Sequence, residues 1–374
     1  MRVLHVYSGN MFGGVETLLL TLARYRQLCT AMEPHYALCF EGRLSEELTA
    51  TGVPVNLMGR VRISQPMTVL RSRRALGDLL RREDFDLVIC HSAWSQAIFG
   101  PVVRRAKLPL IFWLHDAATG RHWLERWARR TPPDLALCNS KFTASLLPLI
   151  YSRTRAEVIY CPVSLPEARY SKADLAALRA ELDTPQDATV IIQVSRMEEW
   201  KGHSTHLEAL GKLRDIPNWV CWQVGGGQRP HEEQYLIKLK RTAASLGILD
   251  RVRFLGQRSD VPKLLAAADI YCQPNIGFEA FGITFIEALL ANLPVIATAI
   301  GGSKEVVTDS CGVLVPPDDV AALVASLRSF IQDQTLRLRL GAEGPSRAQM
   351  LCDPATRIEQ LNKLLAGTLR YKTA

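Results

Sequence analysis

No apolar run in the sequence approaches the ~18–20 residues that a bilayer-spanning helix needs. The opening strand-like stretch, Met1–Tyr7, is too brief for the apolar region of a secretory leader. Nine cysteines are scattered along 374 residues without a Cys-x-x-Cys pair, which argues against a zinc ribbon or a disulfide scaffold. Several sit in strand-like surroundings, as in Val88-Ile89-Cys90, and read as buried reduced thiols of a cytoplasmic protein. Low-complexity tracts are missing too. So is any charge excess in the second half: of 45 basic and 37 acidic residues, 21 and 13 fall within 1–165, leaving 24 and 24 for the remainder. The whole net charge of +8 therefore belongs to the first half. There it gathers around Arg71–Arg82 and Arg121–Arg130 and suits a polyanion, an anionic membrane surface or an anionic acceptor. No nucleic-acid-binding module is visible, so nucleic acid is not an expected partner.

What is present is alternation. Strand-like runs at 2–7, 35–40, 86–91, 109–114, 134–138 and 156–160 are separated by helical patterns such as Glu16–Arg26 and Met67–Arg82. A proline-rich break at Cys161–Pro166 and a polar helix over 173–183 follow, and a second series begins, with strands expected at 189–194, 219–224, 252–255, 270–273, 294–297 and 313–315. Such alternation predicts parallel sheets wrapped by helices. The fold class is α/β, with two Rossmann-like doubly wound domains facing across a cleft. The first is expected over 1–165, the second over 166–352, and a last helix over about 353–374 returns to the first. Ligands of such folds sit beyond the carboxyl ends of the strands, where the strand order reverses.

Four segments at those ends could carry chemistry. The fullest is Asn275–Ala288, in which Phe281-Gly282-Ile283 opens a helix. Free N–H groups and the dipole at that opening favour an anion. Glu279 lies just before it and Glu287 about a turn and a half inside, so that a phosphate there would have a carboxylate on either side. A nucleotide sugar, with sugar hydroxyls to one side and ribose hydroxyls to the other, fits that order. The second segment, Val194–Gly202, places Arg196 and Lys201 after a strand, a fork and a point charge suited to a diphosphate. The third, Ser8–Glu16, is a turn whose Gly13-Gly14 pair allows close approach of a ligand, although it is neither a dinucleotide fingerprint nor a P-loop. Gly225-Gly226-Gly227 is similar in kind. The fourth is His115 at the end of Phe112-Trp113-Leu114, within reach of a sugar hydroxyl; His91 ends the preceding strand. Asp84-Phe85-Asp86 has the spacing of a metal-binding Asp-x-Asp, but it precedes its strand and no metal is expected there.

At these residues the chain resembles the retaining glycosyltransferases of family 4, which have the GT-B fold. The resemblance rests on Glu279 and Glu287 within Phe281-Gly282 … Glu287-Ala288 … Leu293–Thr298 … Gly301-Gly302, on Ser195-Arg196 … Lys201-Gly202, and on Gly13-Gly14-Val15-Glu16, His115 and Asn139-Ser140. It implies that Glu279 lies near the donor sugar, with the N–H groups of Ala280 and Phe281 on its hydroxyls. Glu287 would take the ribose, and Gly282-Ile283, Arg196 and Lys201 the diphosphate. Leu255–Arg258 with Val261 would form the base pocket, and Gly14 would line the diphosphate and acceptor side. His115 would touch the sugar, its carbonyl near the anomeric face. Ala280 departs from the family's usual Pro or Gly, and Asn292 from its Gly.

A hexosyltransferase is implied, retaining and metal-independent, with UDP-glucose as first donor and GDP-mannose as second, and with no cofactor beyond the nucleotide sugar. The acceptor expected is a glycan or lipid-linked intermediate of exopolysaccharide or cell-envelope synthesis. Interleaved Trp and Arg over Arg121–Arg130 suit peripheral contact with an anionic inner membrane face. A nucleotide-sugar epimerase of the same architecture and a non-catalytic polyanion-binding scaffold are the alternatives.

Overall fold

A computed structural model describes residues 1–163, 170–227 and 229–373; the boundary expected at 165/166 lies outside them. The chain divides into two compact units, Met1–Ser164 with Cys352–Ala374, and Leu165–Leu351.

The first unit contains β1 (Arg2–Tyr7), β2 (Glu33–Leu38), β3 (Val55–Leu57), β4 (Leu87–His91), β5 (Leu110–Leu114), β6 (Leu135–Cys138) and β7 (Ala156–Val158). They form one parallel sheet in the order β3-β2-β1-β4-β5-β6-β7. Because helices cover both faces, the central strands are apolar throughout: every residue of β4 and β5 but His91 is apolar, and all are buried. The helix Pro66–Arg82 shows how the covering elements are made. Proline opens it where no N–H bond is lost, and Val69, Leu76, Leu79 and Leu80 line one face. Those side chains pack with Leu4, Val88 and Cys90 from one face of the sheet, while Tyr7, Tyr36 and Leu38 meet Leu19 and Leu48 on the other. The last helix, Pro354–Thr373, belongs to this unit. Val163 N–H donates to Cys352 O at 3.1 Å and Gln360 Nε2 to Val158 O at 3.1 Å.

The second unit repeats the plan with β8 (Thr189–Val194), β9 (Trp219–Val224), β10 (Val252–Gly256), β11 (Ile270–Gln273), β12 (Val295–Thr298) and β13 (Gly312–Val315), ordered β10-β9-β8-β11-β12-β13 and parallel throughout. In each unit the strand order reverses once, between β1 and β4 and between β8 and β11. All nine cysteines are unpaired, and all but Cys29 are buried. No helix among the described residues is long and apolar enough to cross a membrane.

Candidate active site

The reversal between β8 and β11 gathers the second unit's polar residues. Beyond β8 the chain makes a short turn, Glu199–Lys201, and Gly202 adopts a left-handed φ of 73° before the helix His203–Gly211. Only glycine fits: a Cβ on Gly202 would lie 1.8 Å from the Pro274 carbonyl oxygen. That close approach brings the turn against the continuation of β11, where the N–H groups of Ile276 and Gly277 both donate to Trp200 O, at 2.9 and 3.1 Å.

Within this frame, Lys201 Nζ lies 2.7 Å from Glu279 Oε2, and the two side chains are 13% and 11% exposed. Asn275 Nδ2 and Gln273 Nε2 donate to the same oxygen at 2.9 and 3.3 Å. Tyr271 OH holds the Gln273 amide at 2.8 Å, and Gln193 Nε2 holds the Lys201 main-chain carbonyl at 2.9 Å. The ammonium also sits 3.9 Å above the Trp200 ring, a cation–π contact that keeps it from turning away. Among the described residues, every bond to the Glu279 carboxylate thus ends on Oε2 and none on Oε1. Gly301 and Gly302 close the far side: Gly302 N–H donates to Glu279 O at 2.8 Å, and Cβ atoms there would fall 2.3 Å from Glu279 O and 2.4 Å from Ala280 O.

Gly282, at φ 92°, caps the helix Ile283–Leu290 with no side chain on the first free N–H groups. Glu287 lies inside that helix with part of its surface open, yet burial still raises its carboxyl to about 7. Arg196 meets Glu198 at 3.0 Å, and Trp200 Nε1 donates to the same carboxylate oxygen at 2.9 Å. Lys201 and Glu279 lie beside the uncapped helix start, Glu287 lies inside that helix, and the Arg196–Glu198 pair is joined to the same turn through Trp200.

A model of the glycosyltransferase family 4 domain matches residues 12–166, and one of glycosyl transferases group 1 matches residues 175–347. The chain is a family 4 glycosyltransferase. Among its relatives is the phosphatidyl-myo-inositol mannosyltransferase of Mycobacterium leprae, 28% identical over 90% of this chain and 89% of that one. The lipopolysaccharide core biosynthesis glycosyltransferase LpsE of Rhizobium meliloti is 33% identical over 46% of this chain, and the match spans 47% of that protein. Among solved structures, Anabaena HepE in complex with UDP and glucose superposes with a TM-score of 0.85 at 24% identity, over 98% of this chain and 100% of that one. The transferase thus has the GT-B fold.

The other expected site residues fall in different surroundings. Gly225, at φ 139°, is pressed so close to β8 that a Cβ would lie 1.9 Å from Ser195 O, and its N–H donates to Gly256 O at 2.8 Å. Arg258 is not a loose cation. Its guanidinium is committed to Asp260 in two bonds of 2.8 and 2.7 Å, with Glu181 at 3.5 Å. Val261 begins the helix Val261–Ala266. Gly14 and His115 belong to the first unit. Gly14 opens the helix Gly14–Arg24, and His115 follows β5 with its main-chain carbonyl 3.3 Å from Asn139 Nδ2. In the Asp84-Phe85-Asp86 segment, Asp86 accepts from Arg2 N–H at 2.7 Å, at the amino end of β4.

Motif reading gives no role to Tyr271, Gln273, Asn275 or Glu198, which hold the candidate residues Glu279 and Arg196 directly or at one remove. A signal was there: Gln273 ends a strand whose other residues are buried apolar or aromatic, Asn275 follows two residues later, and buried polar residues in that place need partners.

Proposed function

We propose that the transferase moves a hexose from a nucleotide-diphosphate sugar, UDP-glucose first and GDP-mannose second, to a glycan or lipid-linked acceptor in exopolysaccharide or cell-envelope synthesis. The observation that carries this reading is the Lys201–Glu279 pair of 2.7 Å beside the uncapped start of the Ile283–Leu290 helix. The pair offers a sugar hydroxyl the free oxygen of a fixed carboxylate, and the helix start beside it offers phosphate the unpaired N–H groups of Gly282-Ile283. HepE binds UDP-glucose, and one relative, from Mycolicibacterium smegmatis, is a GDP-mannose-dependent phosphatidylinositol monomannoside mannosyltransferase; these support both donors.

In this mechanism Glu279 Oε1 and the N–H groups of Ala280 and Phe281 hold the hexose, Glu287 the ribose, and the loops at Gly225, Gly256–Arg258 and Val261 the base. Arg196 leaves Glu198 for the diphosphate, and Lys201 adds its point charge. As the glycosidic bond breaks, negative charge grows on the leaving diphosphate, and each preorganised cation lowers the barrier by on the order of 2–4 kcal/mol. Gly14 lines the diphosphate and acceptor side, and His115 bonds the sugar. The acceptor oxygen enters on the face the diphosphate leaves and passes its proton to the departing phosphate. Retention follows with no metal ion in any step.

Thermal-shift titration against UDP- and GDP-hexoses tests the donor, because a ligand that prefers the native state raises Tm. The anomeric coupling of the product, with and without EDTA, tests retention and metal independence. A flat Tm across the panel, or an inverted product, overturns the reading.

The basic excess of the first unit is partly structural: Arg104 is tied to Asp134 at 2.9 and 2.8 Å, and Arg73 Nε donates to Ile98 O at 2.7 Å. Trp123, however, is 50% exposed and stacks on Trp127 at 6.3 Å. We assign this face to peripheral contact with anionic lipid. Sedimentation with anionic liposomes at low salt, lost in Trp123→Ala, is the expected result. Failure of the unaltered protein to sediment at all removes the membrane contact.

A further inference from the structure

Three histidines on adjacent strands of the first unit form a continuous chain of ring-to-ring hydrogen bonds. His5 Nδ1 lies 2.9 Å from His91 Nε2, and His91 Nδ1 lies 2.9 Å from His115 Nε2. The rings stack at 5.2 Å in both steps, with Tyr36 beyond His5 at 5.3 Å and Trp113 against both His91 and His115. His5 and His91 are wholly buried, and His115 is 6% exposed. Burial drives all three toward the neutral form, His5 and His115 down to about 3 and His91 far down, with His91 lowered further by its two histidine neighbours.

Each neutral ring carries one proton, and each of the two links needs one. Only two arrangements satisfy the chain. In the first, protons point from His115 inward; His115 Nδ1 is then bare, and the last N–H of the chain is left on His5 Nε2. In the second, they point outward: His5 Nδ1–H donates to His91, His91 Nδ1–H donates to His115, and His115 carries its proton on Nδ1. The two ends of the chain are not equivalent. Among the described residues His115 Nδ1 has no hydrogen-bond partner, and it is not enclosed, so water satisfies it as donor or as acceptor. His5 Nε2 is enclosed, and no described residue partners it. An enclosed N–H without an acceptor is rarer in folded proteins than an enclosed acceptor without a donor. The buried end therefore selects the second arrangement.

We infer that the His5–His91 chain fixes His115 as its Nδ1–H tautomer, so that the ring presents a hydrogen-bond donor to an oxygen of the bound substrate and is unable to act there as a base. His5 and His91 are positioning residues that act through His115. The tautomer is a property of the ligand-free protein; that its donor meets a sugar oxygen rests on the function proposed above.

The test has two arms so that the two statements fail separately. Two-bond ¹H–¹⁵N correlation spectra of the full-length ligand-free protein, labelled at histidine, report which nitrogen of each ring is protonated. All three rings are expected as Nδ1–H, with nitrogen–nitrogen couplings across both links. His115 as Nε2–H, as a mixture of tautomers or as a cation overturns the inference. In His91→Phe the coupling to His115 vanishes, which confirms the assignment if that variant folds; the unaltered protein decides the matter if it does not. The second arm compares a deoxy and a deoxyfluoro series of UDP-glucose. Fluorine accepts but never donates, so at the position His115 meets, the fluoro analogue should bind about tenfold tighter than the deoxy one, the worth of one hydrogen bond. Equal losses at every position refute the sugar contact while leaving the tautomer standing.

Discussion

The turn after the first strand of one unit and four loop glycines of the other are built in opposite ways. In the second unit those four glycines are packing devices. Cβ atoms at Gly202, Gly225, Gly301 and Gly302 would each lie within 2.4 Å of a backbone oxygen of a neighbouring loop. In the first unit, a Cβ on Gly13 would meet nothing closer than Glu16 Oε2 at 3.6 Å, an ordinary contact, and its φ of −171° suits any residue. The second unit fixes an ion pair, Lys201–Glu279, and also buries the imidazoles of His203 and His206; the first joins three buried imidazoles in one hydrogen-bonded chain. On the function proposed above, charges must stand ready where a diphosphate is to bind, and unless acids neutralise them they repel one another in the empty protein. Loops pressed together through glycine keep those charges in place. Where only orientation is needed, neutral rings suffice, and open glycines leave room for a substrate.

The sharpest way to break this comparison is Gly202→Ala. The left-handed φ and the clash with Pro274 O together should cost more than about 3 kcal/mol, read as a fall in urea midpoint. Gly247→Ala, at φ 67° with open space around it, should cost about 1–2 kcal/mol, the price of the backbone region alone. Equal losses would mean that the loop contact carries no weight.

Next in size is the ion pair. Glu279→Ala leaves the Lys201 ammonium largely buried without its acid and should cost about 3 kcal/mol, with transfer activity abolished. Lys201→Ala should cost a similar amount. The double variant should cost less than the two added together, by about 1–3 kcal/mol. Strict additivity would show that the two side chains do not act as a pair.

A smaller effect is read through pH. Since burial raises Glu287 to about 7, the folded protein holds a proton there that the unfolded chain releases near 4.5. The group therefore favours the folded state most at low pH, and that contribution fades as pH rises toward 7. Donor binding should run the other way, because the ionised carboxylate is the stronger acceptor for ribose hydroxyls. UDP-glucose itself does not titrate in this window, so its Kd should fall roughly tenfold between pH 6 and 8. Glu287→Gln should flatten both trends. A wild-type Kd that stays constant removes the ribose contact.

Much of the architecture was legible from alternation, because doubly covered strands such as Leu87–His91 are runs of buried apolar residues bounded by polar turns. The strand Val55–Leu57 was not: three residues beside Pro54 carry no periodicity, and only pairing with β2 makes them a strand. In the candidate site, Glu279 and Glu287 stand out in the sequence because they lie in one contiguous motif. Arg258 was legible as a cation but not as one already held by Asp260. The histidine chain could not be read at all. His5 and His91 lie on two strands and His115 just beyond a third, and they meet only through the register that sets His5 opposite Ile89 and His91 opposite Trp113.

The least effect on stability, and the finest test of the contrast, is expected from Gly13→Ala. Alanine adopts that extended backbone without strain, and its Cβ enters an ordinary contact, so unfolding should change by no more than about 0.5 kcal/mol. Transfer should nevertheless slow by ten- to a hundredfold, since a methyl group there would hold a substrate back by about 1 Å. A folded, fully active variant would show that the glycine turn of the first unit merely connects β1 to its helix, and the division of labour between the two sets of glycines would then lose its functional half.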